Sequence, residues 1–281
     1  LFLNDNILGC TDSLAINFNP NANKDNQSCV YSSSDSLVDI DNDIEEIVNF
    51  NPLVYLFNNI DKDNIKIYAY FDVYKLWDKN YYPEDSNHYY YKCLECLEYD
   101  KNGKSDKSIK LDQIQSLEWE GVFLSPLHPN VNEYLIDVFN KIIDSYSFDG
   151  VVFDNLRYQN YFYGYNEIGI ENFKNKYEFD PNDINRGLIT TRFGYSKEEA
   201  DSISTLWDNY RIEKITDFLY KINNLINKNS YSLEIGAFVN NNIFEAKNKW
   251  YQDWISWIDN EIVDFIIVDD NTQDIIEFNY N

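Results

Sequence analysis

The sequence predicts an α/β fold, a parallel sheet covered by helices. Three observations predict it. Short β-rich runs alternate with stretches that are apolar at helical spacing. The β-rich runs are continuously apolar, the mark of strands buried on both faces. Three of these runs end in acidic residues: Asp72, Asp154 and the Asp269-Asp270 pair.

The chain opens with a different kind of unit. Residues 1–31 form a small module in which Cys10 and Cys29 bracket a polar loop with almost no apolar content. Such a loop cannot build a core, so a Cys10–Cys29 disulfide is the expected staple. Closing a loop of about 20 residues is worth roughly 3 kcal/mol in the chain-entropy picture. A disulfide implies an oxidising compartment. Asn17, Asn19, Asn21, Asn23 and Asp25 fall at alternate positions, a spacing that could line a calcium loop. The loop lacks the glycine and distal glutamate of an EF-hand, and an Asn-rich turn is the simpler reading. Residues 32–49 are an acidic linker running into a helix.

The helical segment that starts at Pro52 precedes the first strand, residues 65–71, which ends in Asp72. Cys93 and Cys96 make a CxxC in a Tyr-rich stretch, expected as a local disulfide or two free thiols. The chain has only two histidines, His88 and His128, both read as isolated, and no His pair follows the CxxC at zinc-finger spacing. A His-based metal site or a Ser/His triad is therefore not expected. Residues 131–146 read as a helix after Pro129, and Asp149-Gly150 as a turn into the strand 151–153. A long amphipathic helix over 206–228 feeds the strand 232–239. A Trp-rich helix over 249–259 precedes the strand 263–268, with Trp254 and Trp257 expected in the core. No GxGxxG or P-loop sequence occurs, so nucleotide folds lose their main signature.

Composition narrows function. The 281 residues carry a formal net charge of −25, from 48 Asp+Glu against 23 Lys+Arg. That charge argues against nucleic acid and anionic membrane surfaces as partners. No apolar run is long enough to span a bilayer. The sequence contains no methionine, so a mature chain, a trimmed chain or a fragment is expected. The 24 Tyr and 6 Trp suit core packing first and sugar stacking second.

Parallel βα folds carry chemistry at the C-terminal ends of strands. Acidic strand ends with aromatics nearby point to carboxylate chemistry of the glycosidase kind, where one carboxyl protonates the leaving oxygen and another attacks or activates water. Asp154 is the first choice as general acid or nucleophile, with Asp72, Asp269 and Asp270 as candidates for the second carboxylate. Arg157, Tyr158 and Asn155 are candidate substrate-positioning groups; Tyr70 and Trp77 are candidate sugar-stacking rings. No organic cofactor is implied.

Four stretches carry a resemblance. They are residues 121–129 (GVFLSPLHP) with Asn132-Glu133-Tyr134, residues 148–158 (FDGVVFDNLRY), residues 67–77 (IYAYFDVYKLW), and residues 251–257 (YQDWISW) with 263–267 (VDFII). Together they resemble the glycosyl hydrolase-like family 10 over about residues 50–270. The family implies a (β/α)8 TIM barrel and hydrolysis of bacterial cell-wall or other exported glycans. The strands align with the family's third to sixth, so an incomplete barrel is expected over 50–281. The sixth strand ends in Val268-Asp269-Asp270-Asn271, unlike the family's Pro-Gln-x-Tyr type of ending. These departures keep a non-catalytic, glycan-binding surface protein as the alternative. Residues 9–29 resemble the short Cys-bracketed modules of secreted bacterial surface proteins, which implies an extracellular, cell-surface or periplasmic location.

Overall fold

The computed structural model describes residues 8–12, 15, 18–26, 28–29, 50–78, 82–108, 119–229 and 231–269. The chain divides into two compact units, Leu1–Leu56 and Phe57–Asn281.

In the first unit, β1 (Leu8–Gly9) pairs in parallel with β2 (Lys24–Asp25). The expected Cys10–Cys29 disulfide is present, with a Cα–Cα separation of 4.8 Å. Cys10 and Ala15 are buried. Helix α1 (Pro52–Asn59) begins where the sequence places it.

The second unit is built on a parallel sheet of β3 (Tyr68–Asp72), β6 (Gly150–Asp154), β7 (Glu234–Asn240) and β8 (Phe265–Asp269), in that spatial order. All four expected strands are there, shifted by a few residues. Eight-stranded closure is not seen among the described residues.

One face of the sheet packs Phe71, Val151, Phe153, Ile235, Ala237 and Val239 into the core beneath the helices. Helix α2 (Pro129–Ser145) leads into β6, and α4 (Lys197–Lys228) leads towards β7. Between them runs α3 (Glu167–Tyr177). Helix α4 starts nine residues before the expected position. Its polar first turns carry no apolar periodicity; a capping box fixes them instead, with Ser196 and Glu199 satisfying each other's backbone N–H groups.

Close strand approach explains Gly150. A Cβ there would lie 2.5 Å from the Tyr68 ring and 2.6 Å from the Glu234 carbonyl oxygen.

Two features differ from the sequence reading. First, β4 (Lys75–Asp78) and β5 (Gly121–Phe123) form an antiparallel pair after β3, where no strand is expected. Second, the expected helix 249–259 is two helices, α5 (Ile243–Lys249) and α6 (Trp254–Asp259). Tyr251 breaks them apart by adopting a left-handed conformation, φ 57°. Its ring covers the Arg211 guanidinium at 3.8 Å. Gln252 then turns to the end of β7, accepting from Asn240 N–H and donating to Phe238 C=O. Trp254 and Trp257 are buried as expected.

Candidate active site

The parallel register makes Asp72 and Asp154 direct partners at the C-terminal ends of β3 and β6. Side chains at in-register positions leave the same face, on strands about 4.8 Å apart. The two carboxylates are therefore side by side. Asn155 ties them together. Its left-handed backbone, φ 50°, lets its N–H donate to Asp154 Oδ1 at 2.6 Å. Its side-chain amide donates to Asp72 Oδ1 at 2.8 Å.

The two acids have different surroundings. Protein crowding around the Asp72 carboxyl raises its pKa, the Asn155 hydrogen bond opposes that, and the nearby Asp154 charge adds to it. The Asp154 carboxylate is the acceptor in both its hydrogen bonds, the second coming from the Tyr70 hydroxyl at 2.5 Å. Burial, then the contact with Asp154, pushes Tyr70 well above the ordinary phenol range, so it remains a proton-bearing donor. The Tyr70 residue is 58% exposed and lies edge-on to Phe238.

A cavity of about 310 Å³ opens beside Asp154, lined by Glu120, Arg157, Phe238, Val239, Asn240, Trp250 and Gln252. Arg157 reaches Glu120 Oε2 at 2.5 Å and lies 4.7 Å from the centre of the Trp250 ring. This wall is held from behind. Buried Asp106 accepts from Trp119 Nε1, Phe123 N–H and Gln159 Nε2. Gln159 Oε1 in turn accepts from the Glu120 N–H. Burial pushes Asp106 up to about 7 against those three donors.

A larger groove of about 760 Å³ lies at the opposite end of the strands. Three of its four acids are occupied structurally: Asp149 accepts from Ile67 N–H, Asp264 from Ile235 N–H, and Glu234 pairs with Lys66. Parallel βα folds carry stability, not chemistry, at that end.

The structure gathers Asp72, Asp154, Asn155, Arg157 and Tyr70 into one region. It does not gather the rest of the expected set. Tyr158 is corrected from substrate contact to core: it is fully buried, and its hydroxyl donates to Arg211 C=O at 3.3 Å. Trp77 lies on β4 with its ring edge against His88 at 4.9 Å and does not line the cavity. The Asp269 side chain and all of Asp270 fall outside the described residues. Of the calcium candidates Asn19, Asn21, Asn23 and Asp25, Asn19 accepts from Asn21 N–H within a local turn, and Asp25 accepts from the Thr11 hydroxyl across the module.

His128 is not isolated, contrary to expectation. The fold brings its Nδ1 to 3.6 Å from Cys96 Sγ, and Cys93 and Cys96 form a disulfide. Residues that sequence reasoning missed are Glu120, Asn240, Trp250 and Gln252. Glu120 directly precedes the Gly121 motif, but only the unexpected β4–β5 hairpin reveals that it reaches the site.

Comparison with known proteins gives one family. The family model described as Glycosyl hydrolase-like 10 matches residues 49–275. No curated protein matches the chain. Among solved structures, the chain is similar to the PgaB (BpsB) glycoside hydrolase domain from Bordetella bronchiseptica. The TM-score is 0.48 and the identity 12%, over 79% of this chain and 55% of that one. The chain thus spans about half of that domain's length.

Proposed function

Because the chain belongs to the glycosyl hydrolase-like 10 family, we propose that it cleaves glycosidic bonds in an exported or cell-wall polysaccharide, with Asp72 and Asp154 as its two catalytic carboxylates. The observation that carries this reading is their in-register pairing at the sheet's C-terminal edge, bridged by Asn155.

Asp72, whose pKa is raised, holds the proton for the leaving oxygen. Asp154 presents its lone pairs to the anomeric carbon, steadied by Tyr70 and the Asn155 N–H. Retaining glycosidases hold their carboxyls about 5–5.5 Å apart and inverting ones roughly 6.5–9.5 Å; in-register positions on strands about 4.8 Å apart are compatible with the shorter spacing. Sugar rings would stack on Tyr70 and Trp250. The Cys10–Cys29 disulfide supports an extracellular or cell-surface setting.

Proton NMR of the first-formed product anomer tests the geometry, with retention expected and inversion contradicting it. Asp72→Asn should slow cleavage of ordinary glycosides by about 10²–10⁴-fold. Aryl glycosides with good leaving groups should recover most of that loss, because they need no proton; equal loss on both would remove Asp72 from the acid's role.

Binding without cleavage is the second reading, favoured by the exposed Tyr70 ring on an open sheet face. It predicts saturable glycan binding, lost on Tyr70→Ala, with no reducing ends released.

A further inference from the structure

Cys93, Cys96 and His128 form a compact group away from the cavity. They come from three places in the second unit. Cys93 ends the short helix Tyr89–Lys92, Cys96 ends the following turn of 3-10 helix, and His128 caps the start of α2. One ligand atom from each lies within 4.8 Å of the other two. All three are more than nine-tenths buried, at 7%, 0% and 2% exposure.

The geometry points to a cation site that is latent in the disulfide form: we infer that the reduced Cys93–Cys96 pair and His128 bind one zinc-like d¹⁰ cation. Two thiolates and a neutral imidazole are the donors such an ion prefers. The spacing fits. With Zn–S of about 2.3 Å, Zn–N of about 2.0–2.1 Å and tetrahedral angles, sulfur and nitrogen ligands stand about 3.6 Å apart. Cys96 Sγ and His128 Nδ1 are 3.6 Å apart already, and the cation takes the Nδ1 lone pair that otherwise accepts from the Asn130 N–H of the helix cap. The Tyr89 hydroxyl, 3.7 Å from the same sulfur, stands beside the fourth corner, which water could also fill. Charge fits as well. Two thiolates neutralise a divalent ion, so a buried site carries no net charge.

Formation of the site needs a dithiol or phosphine reductant. A dithiol attacks Cys93 Sγ, the sulfur on the more exposed residue; the Cys93–Cys96 bond breaks and Cys96 leaves as thiolate. The reductant's second thiol then releases Cys93 and closes to a disulfide. Two electrons and two protons pass to the pair, and the cation displaces those two protons on binding. In the oxidised chain the sulfurs are spent on each other. A small module stapled by Cys10–Cys29 and a site stapled by Cys93–Cys96 thus differ in kind: among the described residues, only the second has a third ligand waiting.

The test uses the full chain carrying Cys10→Ser and Cys29→Ser, so that only Cys93 and Cys96 can supply thiolates. After phosphine reduction without oxygen, Zn²⁺ is titrated against a chromophoric chelator, and Co²⁺ spectra report sulfur ligation. One equivalent per chain is expected in the reduced state and none at that affinity after reoxidation. Cys96→Ser should abolish tight binding. His128→Asn, which keeps an acceptor for the Asn130 N–H of the helix cap, should weaken it at least about tenfold with the circular dichroism unchanged. The inference is overturned by substoichiometric binding in the reduced chain, or by His128→Asn binding as tightly as its parent.

Discussion

Asp72, Asp154 and Glu98 show how neighbours divide one chemical group into different roles. The first two are strand-end acids, legible in the sequence because a continuous apolar run stops at each. Glu98 gave no such signal. It is fully buried beneath the hairpin, and neither of its oxygens has a hydrogen-bond partner of good geometry. Burial pushes it up to about 8, with Ser125 and the Tyr99 and Gly164 N–H groups opposing. Glu98 is therefore neutral in the fold at neutral pH and below. An unfolded glutamate ionises near about 4.3. Its contribution to stability is complete below that pH and is lost progressively as pH rises through about 8. Urea unfolding at a series of pH values should show this decline, and Glu98→Gln should flatten it; an unchanged slope in the variant would show that Glu98 is not its source. Arg157 is a mixed case. Its place near Asp154 was legible, but its partner Glu120 was not, because the two meet only through the hairpin.

At the scale of elements, periodicity and caps succeeded where structure is local, and failed where distant segments decide. Strands β3, β6, β7 and β8 announce themselves by continuous apolar runs. Helix α2 announces itself by Pro129 and its apolar spacing. The β4–β5 hairpin does not, since 42 residues separate Asp78 from Gly121 and neither strand is long enough to show a pattern. The α5–α6 break is equally non-local, because Tyr251 leaves helical geometry to cover Arg211 of α4. Two substitutions test the elements. Ser196→Ala removes the cap of α4 and should cost about 1 kcal/mol. Gly150→Ala forces a Cβ against the Tyr68 ring and the Glu234 carbonyl, and should cost about 1–3 kcal/mol or more, because backbone cannot step aside. Both are read as shifts of the urea midpoint at constant slope. A Gly150→Ala midpoint equal to the parent's would contradict the close β3–β6–β7 approach.

At the scale of the whole chain, sequence predicted an α/β class, a parallel sheet and a Cys10–Cys29 disulfide, and all three are present. The reason is physical: burial writes the apolar runs of the inner strands β6 and β7, and a loop with no core needs a covalent tie. The site was half legible. Strand-end acids follow from the parallel architecture, whereas the wall of Glu120, Trp250 and Gln252 comes from segments whose patterns say nothing of where they fold back. Of the 48 Asp and Glu residues, two are assigned chemistry. Reducing-end release from a panel of bacterial surface and cell-wall glycans, by wild type and by Asp154→Asn of equal thermal stability, tests that assignment most directly. The account predicts release by wild type on at least one glycan and a loss of about 10³-fold or more in the variant; a folded Asp154→Asn that cleaves as well as wild type would contradict it.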